Sequence, residues 1–217
     1  LADREIGDAA EVIVASVRGR VPVVLNVTAQ SGYHAARQAR EFRRLGASAL
    51  MCLPPFAIPT GQDAVLDHLR TVMEAGELPF ILQYSPSLTG TRLDARVLAG
   101  LRRSCPQFCS VKVDFIPTGP AITELRTVLA GEGLTYLIGF AGLQLSDAIR
   151  RGADGLMGGA GHIRHDVTVF RSLADARASA DPEQWASADA AFHRLLPLLN
   201  LEMQTVATSI ALHKYLL

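Results

Sequence analysis

Six short apolar segments alternate with amphipathic helical segments along most of this 217-residue chain, and this alternation constrains its fold more than any other feature. The segments are almost continuously apolar, as in PVVLNV at 22–27, and strands of that kind are buried on both faces. Parallel strands covered by helices have this pattern. The other five predicted strands cover 48–53, 79–84, 109–114, 134–139 and 154–158.

The helical segments between these strands leave two α/β architectures open, a doubly wound sheet and a closed barrel. The units repeat roughly every 25 to 30 residues and no G-x-G-x-x-G motif follows the first strand, which favours a TIM (β/α)8 barrel. An opening helix is predicted before the first strand. The helices between strands are predicted at 32–45, 62–75, 92–103, 119–130 and 143–151.

The pattern changes near residue 164, beyond which only helices are predicted, at 166–179, 182–199 and 201–216. Asp181 followed by Pro182 is a typical helix start. We therefore predict two regions, a partial barrel over 1–163 and a C-terminal helical region packed on the barrel over 164–217.

Composition indicates a small-molecule partner. Twenty-one basic residues balance twenty-one acidic ones, so no charged surface for nucleic acid or an anionic membrane is expected. No apolar run approaches the roughly 20 residues that a membrane span needs. Three cysteines without a C-x-x-C pair fit reduced thiols and a cytoplasmic protein.

Lys112 and Lys214 are the two lysines in the chain, and every other basic residue is arginine. Lys112 lies inside the apolar strand at 109–114, where a lysine is costly unless it is neutral or paired. A neutral amine in such a place can attack a ketone and form a Schiff base. The alternative is an ammonium group that reaches water or pairs with Asp114. The position of Lys112 near the carboxyl end of its strand favours a catalytic role, because barrel active sites are built there.

Asp114 follows Lys112 by two residues, so the two side chains are expected on the same face of the strand. Its carboxylate would position the amine or move protons to and from the substrate. A carboxylate that caps the following turn is an equally good interpretation.

The segment around Lys112 resembles the Schiff-base strand of the dihydrodipicolinate synthase and N-acetylneuraminate lyase superfamily. The resemblance implies a TIM barrel, Lys112 as the nucleophile, no external cofactor, and a homotetramer. Leu1–Glu5 resembles the segment just after the family's G-[ST]-T-G-E motif, so we expect six of the eight strands here and an N-terminal truncation. Further segments match in order: RVPVVLNVTAQS (20–31), GASALMCLPPF (46–56), LPFILQYSPSLTG (78–90) and LIGFAGLQLSDAIRRGADGLMGG (137–159).

Several positions depart from the family pattern. Gln83 stands where the family has its proton-relay tyrosine, with Tyr84 one residue later, and Leu88 replaces an arginine of the synthases proper. Phe140 and Ala141 replace two aspartates. These departures favour a lyase for a 2-keto acid over the synthase reaction itself. Such an enzyme performs aldol cleavage or condensation with pyruvate, or dehydrates a 2-keto-3-deoxy sugar acid.

The predicted site combines four catalytic residues with four residues that line the substrate. Lys112 would attack the carbonyl, Gln83 would orient the substrate, and Asp114 or Tyr84 would supply acid–base chemistry. The lining residues are expected to be Gly139, Met157, Ser85 and Phe140.

Other interpretations remain open. The Gly158–Gly161 run after the last strand is a place where barrels bind phosphate, which would indicate a phosphosugar enzyme. His162 and His165 have a spacing found in zinc sites, but no Cys, Asp or Glu cluster completes a tetrahedral set and Asp166 alone is insufficient, so no metal is predicted. The family has two relay tyrosines, one replaced here by Gln83 and one that falls near Ala57, and their absence also fits a non-catalytic barrel that binds keto acids or sugar acids. A barrel without two strands has unpaired edges and is expected to associate or aggregate.

Overall fold

The computed structural model describes residues 2–58 and 60–217 and has a six-stranded sheet whose strand order follows the chain. Strand β1 is parallel to β2, β2 is parallel to β3, and β5 is parallel to β6. The parallel α/β arrangement predicted from the sequence is therefore confirmed. The strands are β1 (Val24–Val27), β2 (Ala49–Cys52), β3 (Phe80–Tyr84), β4 (Phe108–Val113), β5 (Thr135–Ile138) and β6 (Gly155–Leu156).

Ten α-helices occur in the described residues, together with two short 3-10 turns at Phe140–Gly142 and Ala160–His162. Helices α1 to α7 precede β6 and α8 to α10 follow it. Their bounds are α1 (Asp3–Val17), α2 (Gly32–Leu45), α3 (Gln62–Gly76), α4 (Pro86–Thr89), α5 (Ala95–Ser104), α6 (Thr118–Val128), α7 (Leu145–Arg150), α8 (Ile163–Ser179), α9 (Pro182–Glu202) and α10 (Val206–Leu216).

The chain forms two compact units. The first extends to Val111 and adds Val128–Leu134; the second comprises Lys112–Thr127 and Thr135–Leu217. The predicted division at residues 163 and 164 stays a prediction.

The core of the first unit lies between β1–β3 and helices α2 and α3. Val27, Cys52 and Leu82 on the strands are fully buried. Ala35 and Ala39 present small side chains from α2, and small side chains allow a helix to lie close to its neighbours. Loops follow the carboxyl ends of β1 and β2 before the next helix begins.

The second unit packs α7, α8 and α9 beside β5 and β6. Ile138, Ile149 and Leu173 are fully buried there. At the surface, the guanidinium of Arg150 lies 3.7 Å from the ring centre of Trp185 in α9, a cation–π contact. The C-terminal helices thereby contact the last strand and the helix before it.

The main differences from the predicted elements have local causes. Helix α5 begins at Ala95 instead of 92 because the Asp94 side chain accepts a hydrogen bond from Arg96 N at 2.7 Å and caps the helix. β6 has two residues instead of five and lies at one end of the sheet order. Helix α4 and both 3-10 turns were not predicted, because three or four residues are too few for a periodic signal.

No single helix in the described residues is both long and apolar enough to cross a membrane. Helices α9 and α10 reach the length and apolar composition of a membrane span only when they are taken together, and they meet at a bend of 119°.

We expect the Cys52 thiol to resist alkylation in the folded protein. It is completely buried, and burial raises its pKa to about 12 from an ordinary value of 9.0. Since the thiolate is the nucleophile, its reactive fraction at pH 7 should be about a thousandfold below that of an ordinary thiol. Iodoacetamide labelling with and without urea, followed by peptide mass spectrometry, measures this; the partly exposed Cys109 is the internal comparison. Equal labelling of Cys52 in both conditions would contradict the prediction.

Candidate active site

Lys112 and Asp114 form an ion pair at the carboxyl end of β4. The amine Nζ lies 3.0 Å from Asp114 Oδ2, and the two side chains are 12% and 16% exposed. The two-residue spacing thus places both groups on one face, as the strand period predicts. The amine is mostly shielded from water and is held by a carboxylate that also lies within proton-transfer distance.

A backbone N–H fixes the second oxygen of the same carboxylate. Phe140 N donates to Asp114 Oδ1 at 2.6 Å, from the turn that follows β5. This turn is unusual, because Phe140 and Ala141 both have positive φ, at 50° and 53°. The two oxygens of Asp114 therefore face different donors, which orients the carboxylate toward Lys112.

Gly139 provides the space that this pair occupies. A Cβ built on Gly139 would overlap Asp114 Oδ1 and would lie 2.8 Å from Lys112 Cε. Its φ of −103° is open to any residue, so the requirement for glycine here is one of volume. The structure places Gly139, predicted as a lining residue, directly against the two predicted catalytic groups.

Gln83 and Tyr84 lie at the end of β3, in the first unit. Gln83 Oε1 accepts a hydrogen bond from Asn26 Nδ2 at 3.1 Å. The buried Tyr84 hydroxyl both donates to Leu93 O and accepts from Leu93 N, each at 3.2 Å. These two bonds hold the segment before α5 to β3, and the predicted role of Tyr84 in acid–base chemistry stays a prediction.

Asn26 was missed by the sequence reasoning. It is a polar residue inside the apolar run VPVVLNV, and that interruption was the available signal. It orients the Gln83 amide through the bond from β1 to β3.

Ser85 and Met157 have different surroundings. Ser85 is buried, and its carbonyl accepts a hydrogen bond from Thr89 Oγ1 at 3.1 Å across α4. Met157 N donates to Ile138 O at 2.9 Å and continues the pairing of β6 with β5. Met157 also lines a largely apolar cleft of about 660 Å³ between the residues after β6 and helix α8. The roles of both as substrate-lining residues stay predictions.

The Gly158–Gly161 loop faces ionisable side chains of the C-terminal helices. Gly161 N donates to His213 Nδ1 at 3.2 Å, and a Cβ on Gly158 would overlap a carboxylate oxygen of Asp166. A backbone N–H already used by an imidazole, with a carboxylate beside the loop, disfavours phosphate binding here.

Contacts between segments distant in the sequence surround His162, and the prediction of no metal there stays a prediction. Glu202 and His213 come from distant helices, and their ligand atoms and that of His162 lie within 4.8 Å of one another. The sequence spacing of His162 and His165 did not reveal this group, because its members are 40 and 11 residues apart along the chain.

Comparisons with known proteins identify the family of this chain. A family model described as the dihydrodipicolinate synthetase family matches residues 2–216. The 4-hydroxy-tetrahydrodipicolinate synthase of Stenotrophomonas maltophilia K279a is 30% identical over 184 residues, which cover 82% of this chain and 58% of that protein. That of Staphylococcus saprophyticus is 32% identical over 101 residues, 46% of this chain and 34% of that protein. This chain thus spans less than two thirds of either relative.

Solved structures share the fold. The dihydrodipicolinate synthase of Rhodopseudomonas palustris is 26% identical with a TM-score of 0.82, covering 94% of this chain and 67% of that one. The synthase of Methylacidiphilum fumariolicum SolV is 18% identical with a TM-score of 0.87, covering 99% and 70%. The predicted fold class, a TIM (β/α)8 barrel with six strands present and a C-terminal helical extension, is confirmed. Together with the match to the family model over almost every residue, this shows that the chain belongs to the dihydrodipicolinate synthetase family.

Proposed function

We propose that this protein is a Schiff-base lyase that acts on a 2-keto acid of the pyruvate type, with Lys112 as the nucleophile. The observation that carries the proposal is the shielded pair of Lys112 Nζ and Asp114 Oδ2, 3.0 Å apart at the carboxyl end of β4. A family of lyases that includes 4-hydroxy-tetrahydrodipicolinate synthases supports it.

Asp114 makes the lysine usable as a nucleophile. The amine must lose a proton before it attacks the keto carbon, and the carboxylate is the adjacent acceptor. Attack forms a carbinolamine, and loss of its hydroxyl as water leaves an iminium on Lys112. In cleavage, a base removes the proton of the substrate hydroxyl, an aldehyde leaves, and the electron pair of the broken C–C bond flows into the iminium to give an enamine. In dehydration, a base removes a proton from the carbon next to the iminium, the electrons of that C–H bond form the enamine, and the enamine expels the neighbouring hydroxyl, which leaves as water with the C–O electron pair once it is protonated. Protonation at carbon and hydrolysis by water release the product and restore the amine.

The keto-acid class is supported by two fold neighbours. A prophage protein of the same family from E. coli K12 and a synthase from Acinetobacter baumannii were both solved in complex with pyruvate. The replacement of the relay tyrosine by Gln83 favours cleavage of a 2-keto acid or dehydration of a 2-keto-3-deoxy sugar acid over the synthase reaction. Gln83 is proposed to orient the substrate, and a cytoplasmic homotetramer is proposed for the whole protein.

Borohydride trapping tests the proposal, since it reduces an imine to a stable secondary amine. We expect incubation of the natural protein with pyruvate and borohydride to add one reduced pyruvate per chain, on the peptide that contains Lys112. Lys214, the other lysine of the chain, is the internal control and should stay unmodified. An adduct on Lys214 alone, or none, would refute the lyase.

A keto-acid-binding barrel without catalysis is the second candidate, favoured by the bonds that hold the Tyr84 hydroxyl to Leu93. Two measurements on the same protein distinguish this candidate from the lyase. For a binding barrel, calorimetry would detect pyruvate binding while borohydride trapping would give no adduct.

A further inference from the structure

Four ionisable side chains meet behind the loop that follows β6. His162 Nδ1 lies 2.9 Å from Asp166 Oδ1, and His162 Nε2 lies 2.7 Å from Glu202 Oε2. The other oxygen of Glu202, Oε1, lies 3.0 Å from His213 Nε2. We call these four residues the histidine–carboxylate cluster; the side chains of His162 and Glu202 are only 2% and 5% exposed.

Backbone geometry fixes the proton on His213. Gly161 N donates to His213 Nδ1, so this nitrogen is an acceptor and carries no hydrogen. The hydrogen of a neutral His213 ring is therefore on Nε2, from which it is donated to Glu202 Oε1. Glu202 has its second oxygen left for His162.

Each nitrogen of His162 faces a carboxylate oxygen, so with both carboxylates ionised both nitrogens donate and the ring is charged. Burial raises the pKa of Asp166, and the hydrogen bond from His162 opposes that shift. Burial by itself lowers the pKa of His162, but the hydrogen bonds to Glu202 and Asp166 and their negative charges outweigh it, so the pKa is raised. One imidazolium thus lies between two carboxylates.

A metal ion is the competing explanation, since His162, Glu202 and His213 are ligand types that zinc accepts. A metal on His213 Nε2 would move the ring hydrogen to Nδ1, where it would meet the N–H of Gly161. The hydrogen bond from Gly161 is therefore incompatible with a metal on His213, whereas shared protons satisfy every donor and acceptor named above.

The loop after β6 rests directly on the cluster. A Cβ on Gly159 would overlap the His213 ring and lie 2.8 Å from His162 Nε2, and one on Gly161 would lie 3.0 Å from His213 Nδ1. The glycines let the backbone approach the cluster closely. Met157, at the start of this loop, continues β6 at the carboxyl end of the sheet, the end at which barrels bind substrate.

We propose that the histidine–carboxylate cluster is a positioning site: a protonated His162, held by Asp166 and Glu202, fixes the Gly158–Gly161 loop for binding of the keto acid. This rests on the proposed function. The cluster contacts the Gly158–Gly161 loop and does not contact the amine of Lys112 in the described residues. Disrupting the cluster should therefore weaken substrate binding more than it slows the attack by Lys112.

Two amide substitutions test this, because they differ in how many donors the carboxylate serves. Within residues 2–58 and 60–217, Asp166 accepts a hydrogen bond from His162 alone, so the side-chain oxygen of Asp166→Asn can replace the carboxylate oxygen. Glu202 accepts a hydrogen bond from each of the two histidines. In Glu202→Gln one of these oxygens becomes an NH2 group, which is itself a donor and therefore faces the N–H of a histidine without forming a hydrogen bond. We expect Glu202→Gln to raise the pyruvate concentration for half-maximal trapping about tenfold or more, and Asp166→Asn to change it less than about threefold.

The limiting trapping rate at saturating pyruvate should change less than about threefold in both variants, because the amine and Asp114 are untouched. The exposed Glu183 at the start of α9 provides the matched control, Glu183→Gln, which should behave as the unaltered protein. An unchanged half-saturation value in a folded Glu202→Gln variant would overturn the positioning role.

Histidine-selective ¹⁵N NMR provides a readout that needs neither pyruvate nor a variant. We expect both ring nitrogens of His162 to be protonated at pH 7 in the unaltered protein. A ring with an unprotonated nitrogen, or one zinc retained per chain after purification with zinc, would overturn the proposal by itself. If no form of the protein traps pyruvate, the lyase proposal fails, and the histidine spectrum still decides whether the cluster exists.

Discussion

Replacing Lys112 with arginine is expected to abolish trapping of pyruvate and to lower turnover of a 2-keto acid by at least about a thousandfold. Arginine keeps the positive charge and can still pair with Asp114, but its guanidinium does not lose a proton in proteins and cannot form the imine. The substitution therefore removes the nucleophile while it retains the ion pair.

This property separates the two interpretations of a lysine in an apolar strand. If Lys112 only pairs with Asp114, Lys112→Arg should leave function intact and shift the midpoint of thermal unfolding by no more than a few degrees. If Lys112 is the nucleophile, the adduct disappears although the protein remains folded. Lys214→Arg, in α10, is the matched control and should trap pyruvate normally. Adduct formation by Lys112→Arg at the ordinary rate would rule out Lys112.

Gly139→Ala is expected to slow trapping by about ten- to a hundredfold without removing any chemical group. The added methyl would overlap Asp114 Oδ1 and crowd Lys112 Cε, so the carboxylate or the turn at Phe140 must move. A displacement of about 1 Å in a reacting group can cost a hundredfold in rate. Overpacking of this kind also lowers the free energy of unfolding by about 1–3 kcal/mol.

Gly100→Ala provides the control for adding a methyl group. Gly100 lies in α5 with nothing within 4 Å of its Cβ position. There, alanine should stabilise the helix by about 0.5–1 kcal/mol and leave trapping unchanged. Urea unfolding and the initial rate of adduct formation measure both variants. A Gly139→Ala protein that traps pyruvate as fast as the unaltered one would show that the close approach of Gly139 to the pair does not matter.

The sequence was sufficient for the fold because its strands and helices carry strong local patterns. The run at 22–27 predicts a strand, and the structure starts it at Val24, two residues after Pro22, which has no N–H to donate to a ladder. The pairing of Lys112 with Asp114 was also predictable, because side chains two residues apart on one strand lie on the same face of the sheet.

Contacts between distant segments were not predictable in the same way. The bond from Phe140 N to Asp114 depends on a turn in which Phe140 and Ala141 have positive φ angles, and neither residue type signals such a backbone in the sequence. Glu202 lies in the apolar sequence LLNLEM, where its side chain gives no sign of a partner 40 residues earlier. Such pairs depend on how helices pack, and a single sequence does not record that.

Substitutions at positions 162, 202 and 213 should be tied to one another in evolution. Glu202 accepts from both histidines, so a change at one histidine leaves a buried carboxylate oxygen without its donor and selects for a second change nearby. The glycines at 158, 159 and 161 have their side-chain space filled by the same groups, so they belong to the same inherited set. Lineages of this family that lost the cluster are expected to have acquired side chains in the loop as well.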